Sequence, residues 1–253
     1  MFPILQIGPL AIQTPGLALL LGLWLGLTLA EKYTPQRGIA ANLLYNLVFV
    51  ALITGVAGAR LAYVIRYPGT FVSSPLGLIS LNPGLFDLWG GIVSGIICGS
   101  IYAQRRGLEF WNTMDALTPL LAIFAIALGL SNLASGNAFG TPTNLPWGIE
   151  LWGERRHPTQ LYTIFTAGLI LVLLWPGKSS WMDKQPGSYF LSLLALSALA
   201  RLFVEAFRGD SILLPGGFRL AQVIAWIILA GSLWGLLLLS RSPATLLEED
   251  AHG

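Results

Sequence analysis

Residues 129–162 read GLSNLASGNAFGTPTNLPWGIELWGERRHPTQLY and lie between two apolar runs, LLAIFAIAL at 120–128 and TIFTAGLILVLLW at 163–175. Glycine, asparagine and proline punctuate the stretch, and it carries Arg155, Arg156 and His157, one of only two histidines in the chain. A helix needs roughly 20 predominantly apolar residues to cross the hydrocarbon core of a bilayer. With their neighbours the flanking runs reach about that length. The polar stretch therefore reads as a loop joining two crossings, and something in it binds or reacts with a polar group.

The rest of the chain repeats this alternation. Of 253 residues, 55% are hydrophobic and only 10% charged, against about a quarter charged in soluble domains. The expected architecture is an all-α integral membrane protein, a seven-transmembrane-helix bundle forming one domain over 1–253, with a polar extracytoplasmic insert at about 134–160. The crossings fall at about 15–30, 43–65, 85–102, 115–133, 162–175, 189–204 and 220–239. A net charge of +2 gives no footprint for nucleic acid. The single Cys98 excludes a disulfide framework and a cysteine metal site.

Orientation follows from the basic residues. Lys32, Arg37, Arg105, Arg106, Lys178, Lys184 and Arg241 fall in alternate loops on one side, which the positive-inside rule makes cytoplasmic. The N-terminus, which has no Lys or Arg before its apolar run, is then outside as an uncleaved first span, and the C-terminus is cytoplasmic. The acidic end, Glu248, Glu249 and Asp250, reads as a solvated tail, and His252 as uninvolved.

Against that bias, Arg60, Arg66, Arg155, Arg156, Arg201, Arg208 and Arg219 lie within spans or on the outer side. A cation at membrane depth costs several kcal/mol unless paired or hydrated, so such residues turn toward a bundle interior or a polar cavity. Arg201, Glu205 and Arg208 share one helical face by spacing. Arg201 with Glu205 reads equally as a structural ion pair or as part of a site, whereas Arg208, at the outer boundary, has the guanidinium fork that suits a phosphate. Asp87 and Asp115 read as carboxylates capping the first turns of their own helices. Trp89 fits an interfacial anchor, and the glycines at 84, 90, 91, 95 and 99 a helix-packing stripe. His157, with Pro158 suited to a first helical turn and two arginines before it, sits where a helix N-terminus welcomes anions.

Taken together these segments resemble the prolipoprotein diacylglyceryl transferase family, in order along nearly the whole chain. Ile7, Gly8 and Pro9 look like its N-terminus, and GARLAYV at 58–64 like its Gly-x-Arg-x-x-Tyr segment. Asn132, Gly136 and Gly140 match its signature loop, HPTQLY at 157–162 its His-Pro-x-Gln-Leu-Tyr, and RLFVEAFRGD at 201–210 its Arg-x-x-x-Glu-x-x-Arg segment. Gln222 and the closing Arg241, Ser242 and Pro243 fit too. Three positions depart from the pattern: Trp89 stands where the family has a histidine before paired glycines, Gly129 where it has an arginine, and Asn137 where it has a glutamate.

The resemblance implies transfer of the diacylglyceryl group of phosphatidylglycerol to the lipobox cysteine thiol of a prolipoprotein. The reaction takes place at the outer face of the bacterial cytoplasmic membrane, releases glycerol 1-phosphate and uses no metal or organic cofactor. It implies catalytic roles for Arg208, His157 and Asn132. It implies substrate contacts from Arg60, Tyr63, Gly140, Arg155, Arg156, Gln160, Tyr162 and Glu205. The losses at Trp89, Gly129 and Asn137 point instead to a catalytically silent relative that binds lipid or serves as an accessory subunit of a membrane complex. A small-solute transporter has less support, since no inverted repeat or paired broken helices stand out.

Overall fold

The computed structural model describes residues 4–7, 10–73, 77, 83–176 and 180–241. The readings of Gly8, Pro9, Lys178, Ser242, Pro243, the acidic tail and His252 lie outside the described residues. A short antiparallel hairpin, β1 (Ile4–Ile7) with β2 (Leu10–Gln13), leads into α1 (Thr14–Tyr33). There follow α2 (Ala41–Arg66), the short α3 (Pro68–Ser73), α4 (Leu88–Arg105) and α5 (Phe110–Ser135). Within the polar insert, which reads from sequence only as a loop, a second hairpin forms from β3 (Ile149–Leu151) and β4 (Glu154–Arg156). Then come α6 (Thr159–Leu173), the short α7 (Ser180–Lys184), α8 (Ser188–Glu205) and α9 (Leu220–Ser240).

A helix stands at each of the seven expected crossings. Five are long and apolar enough to cross a membrane: α1 with the turn after it, α2, α5, α8 and α9. Of the other two, α6 is apolar but has 15 residues, and α4 spends much of its length on glycine and serine. The exposed helix faces are apolar, with Leu20, Ile65 and Ile227 all more than 60% exposed. This is the pattern of a helical membrane protein, whose spans bury every backbone hydrogen bond internally and leave side chains to lipid.

The chain forms two compact units, residues 34–113 and residues 1–33 with 114–253. In the first, α2 packs on α4 along the small-residue stripe. A β-carbon added at Gly58 would meet Ser94 Oγ at 2.0 Å, one at Gly90 would meet Ala62 Cβ at 2.2 Å, and one at Gly95 would meet the Ala51 carbonyl at 2.9 Å. Close backbone approach through small residues is how membrane helices associate without a hydrophobic driving force. Asp87 caps α4, accepting from the Gly90 amide at 2.8 Å, and pairs with Arg66 at 3.2 Å.

In the second unit, Gly22 and Gly26 of α1 let it approach Ala127 and Leu120 of α5. Tyr33, Ala122, Ile170, Leu174, Tyr189 and Leu193 form a buried cluster. Asp115 corrects its sequence reading. The helix it was expected to open begins five residues earlier, at Phe110, and the fully buried Asp115 carboxylate caps α8 instead. It accepts from the amides of Gly187 at 2.8 Å and Phe190 at 2.9 Å. Asp115→Ala strands both amides and should destabilise the protein by about 2–3 kcal/mol, read as a lowered melting temperature in detergent.

Candidate active site

Backbone pairing gathers three segments that are far apart in sequence. Residues 139–143 run between 207–209 on one side and 155–157 on the other. The Thr141 amide donates to the Phe207 carbonyl at 2.8 Å and the Gly209 amide to the Phe139 carbonyl at 2.9 Å. On the other flank the His157 amide donates to the Thr141 carbonyl at 3.0 Å and the Thr143 amide to the Arg155 carbonyl at 2.8 Å. Gly140 is bridged to Arg208, and Pro142 to Arg156. The glycine is required here: a β-carbon on Gly140 would lie 2.3 Å from the His157 carbonyl oxygen and 2.6 Å from its Cβ. Thus the signature loop, the head of HPTQLY and the end of VEAFRGD form one small frame.

Side chains of α6 fasten that frame from below. Thr159 Oγ1 donates to the Ala138 carbonyl at 2.5 Å, and Gln160 Nε2 to the Asn137 carbonyl at 2.8 Å. Gln160 is buried, so it supports the loop and does not line its surface, and its Oε1 has no hydrogen-bond partner among the described residues. Asn132 closes the last turn of α5, where its carbonyl accepts from Gly136 N and Ser135 Oγ. At Gly129, an added β-carbon would lie 2.6 Å from Ile164 Cγ1. The arginine that the resemblance leads one to expect at this position thus has no room there unless that side chain shifts.

The charged cluster sits at the end of α8. Glu205, 1% exposed, pairs with Arg201 at 2.9 Å and lies 3.8 Å from Arg208, and its other oxygen accepts from Ser211 Oγ at 2.7 Å. Arg208 grips Asp210 through a two-pronged fork, Nε and Nη2 each at 2.8 Å from a carboxylate oxygen. Arg219, one of the arginines that run against the charge bias, donates to the backbone carbonyls of Glu205 and Arg208 and to Ser211. It thereby satisfies carbonyls at the end of α8, a task often left to a glycine cap. Three guanidinium groups thus gather beside two carboxylates, Arg201 and Arg208 pairing with them and Arg219 with the neighbouring backbone. The surplus of positive charge, three guanidinium groups against two carboxylates with Glu205 itself buried, suits an anion.

Arg156 is mostly buried, lies over the Phe139 ring at 5.2 Å, pairs with Glu154 and donates to the Gly140 carbonyl at 3.2 Å. Its Nε is buried with no hydrogen-bond partner among the described residues. Arg155 stands opposite Glu150 in the hairpin register and is exposed. His157 packs on Phe207, ring centroids 5.0 Å apart, and its Nδ1 lies 3.3 Å from the Tyr162 hydroxyl. The unit thus brings together Arg208, His157, Gly140, Arg156, Gln160, Tyr162 and Glu205.

Arg60 and Tyr63 belong to the other unit. There Arg60 donates to the carbonyls of Leu85 and Gly77 and lies between the rings of Phe71 and Phe86, 5.6 and 5.0 Å from their centroids. Tyr63 packs against Tyr67 and Phe71. Trp89 is 73% exposed on α4, as an interfacial anchor would be. Among the described residues no group of three or more metal-ligating side chains comes together.

Sequence comparison relates the whole chain to known proteins. The family model for prolipoprotein diacylglyceryl transferase matches residues 3–238. The chain is 31% identical to a phosphatidylglycerol-prolipoprotein diacylglyceryl transferase of Clostridioides difficile, over 93% of this chain and 94% of the relative. It is 30% identical to one of Nostoc sp., over 92% and 87%, and 28% identical to one of Prochlorococcus marinus, over 91% and 88%.

Proposed function

The chain belongs to the prolipoprotein diacylglyceryl transferase family, and from that membership we propose that it transfers the diacylglyceryl group of phosphatidylglycerol to the lipobox cysteine of a prolipoprotein. It does so as a seven-crossing protein of the bacterial cytoplasmic membrane, N-terminus outside, C-terminus cytoplasmic, with the frame of residues 139–143, 155–157 and 207–209 at the outer face. The basic residues of alternate loops support that orientation.

In the reaction the substrate thiolate attacks the glycerol carbon that bears the phosphate. A carbon–sulfur bond forms, the carbon–oxygen bond breaks, and the electron pair leaves on glycerol phosphate. Charge develops on the departing phosphate oxygen, so donors preorganised around it lower the barrier. The observation that carries the reading is the cluster at the end of α8, where Arg201 and Arg208 flank Glu205, Arg208 forks onto Asp210, and Arg219 binds the adjacent backbone carbonyls. Arg208 binds the phosphate and stabilises the leaving group, with Glu205 fixing its approach. Asn132, at the end of α5, and His157 hydrogen-bond the headgroup. Gly140, Gln160 and Tyr162 shape the site, and Arg155 and Arg156 add positive charge along its hairpin. Arg60 and Tyr63 are proposed as headgroup ligands on the resemblance of their segment alone.

The fork between Arg208 and Asp210 favours a second reading, a silent lipid-binding relative, because an anion must compete with a carboxylate already in place. Complementation of a bacterium deprived of its own transferase separates the two. Growth with lipidated prolipoproteins supports the enzyme, and failure to grow despite membrane insertion supports the silent relative.

A further inference from the structure

The Tyr162 hydroxyl stands between two nitrogens. Trp147 Nε1 lies 3.0 Å from it and His157 Nδ1 lies 3.3 Å from it. An indole N–H can only donate. Trp147 therefore occupies a lone pair of the phenol oxygen and leaves the phenol's own proton to be placed. If Nδ1 also carried a proton, the oxygen would face two N–H groups, and its O–H would have no acceptor, since no other hydrogen bond involves the Tyr162 hydroxyl among the described residues. One assignment satisfies all three groups: Trp147 donates to Tyr162, and Tyr162 donates to His157 Nδ1. In neutral imidazole one nitrogen bears the proton and the other accepts, and the bond made by one sets the state of the other.

We infer that Trp147, through Tyr162, fixes His157 as the Nε2–H tautomer, so that His157 meets the substrate as a hydrogen-bond donor and not as the base that takes the thiol proton. Nε2 has no hydrogen-bond partner among the described residues. Pro158 and Thr159 right after His157 are buried, and Phe207 packs on its ring. With Tyr162 meeting the ring edge-on, centroids 6.2 Å apart, the ring is held by Phe207 and Tyr162 while that nitrogen remains available. The chemistry it suits is a phosphate oxygen. This rests on the transferase reading for what the donor meets, but the tautomer itself does not depend on it. Trp147 is a positioning residue: it acts on the site only through the phenol.

The chain has two histidines, so His252→Gln leaves one imidazole to observe. The experiment is nitrogen-15 NMR of histidine-labelled protein, full-length and in phosphatidylglycerol nanodiscs, for the His252→Gln background and with Tyr162→Phe or Trp147→Phe added. The expected result is a protonated Nε2 and an unprotonated, hydrogen-bonded Nδ1, whose resonance moves to the unbonded position in Tyr162→Phe. In Trp147→Phe the relay loosens and Nδ1 takes on partial protonation. The lipobox-peptide transfer rate in Trp147→Phe falls several-fold with little change in KM. A proton on Nδ1 in the background protein, or an Nδ1 resonance unmoved by Tyr162→Phe, overturns the inference. Should the NMR hold while no variant, nor the parent, transfers lipid, the transferase reading fails and the tautomer assignment stands.

Discussion

Arg208→Ala lowers diacylglyceryl transfer at least about 100-fold, the largest effect expected of any single side chain in the site. Each charge-assisted hydrogen bond lost from a buried anion costs about 1.5–3 kcal/mol, and about 1.4 kcal/mol is a factor of ten in rate. Arg208 presents two parallel N–H groups, as its grip on Asp210 shows, so two such bonds to phosphate are at stake. Arg208→Lys keeps the charge but loses the fork, and should fall between the parent and the alanine variant. The measurement is the initial rate of lipobox-peptide lipidation in phosphatidylglycerol-containing detergent, with glycerol phosphate release followed alongside. Because Arg208 also pairs with Asp210, the melting temperature must be read too. A rate loss with an unchanged melting temperature places the effect on the chemistry.

Gly140→Ala is the second large effect, and it acts through the backbone. The added methyl carbon would sit 2.3 Å from the His157 carbonyl and 2.9 Å from its carbonyl carbon, with no flexible side-chain end to yield. The pairing of 139–143 with 155–157 must open, and overpacking of this kind costs about 1–3 kcal/mol. The same segment is hydrogen-bonded to 207–209, so both Arg208 and His157 move. A loss of about ten-fold or more in transfer is expected, with helical circular dichroism unchanged. Gly168→Ala is the control, since a β-carbon on Gly168 meets nothing within 4 Å; inside α6 it should leave transfer unchanged and stabilise the helix by no more than about 1 kcal/mol.

The helices were legible because hydrophobic runs of membrane length leave little choice of structure. The glycines of α4 were legible as a packing stripe because small residues in register have few other uses there. The pairing of Arg201 with Glu205 followed from helical spacing and the ion pair confirms it, but α8 ends at Glu205, so Arg208 is not on that helical face and is bridged to Gly140 instead. The β3–β4 hairpin escaped notice. Its strands have three residues each, and its turn places Trp152 at φ 56 before Gly153 at φ 79. A tight hairpin usually announces such a turn with Asn-Gly or Asp-Gly, and tryptophan there hides it.

The partners of the charged groups were also out of reach. Asp210 sits two residues from Arg208, but nothing in RGD says that the fork closes on its own neighbour. Arg219 reaches back eleven residues to a backbone carbonyl, and Trp147 meets Tyr162 across a hairpin the sequence did not announce. Asp115 was misassigned for a related reason: a carboxylate near a helix start suits a cap, but its amides belong to a helix more than 70 residues away. Long-range pairing is set by tertiary packing, which local propensity does not encode.

The most direct test is transfer by the purified protein itself. Reconstituted with phosphatidylglycerol and a thiol-bearing lipobox peptide, it should shift the peptide by one diacylglyceryl group and release an equal amount of glycerol phosphate. The same peptide with its cysteine replaced by serine should stay unmodified. Phosphatidylglycerol found bound to the protein, with no peptide shift and no glycerol phosphate released, would contradict the account and leave a lipid-binding relative in its place.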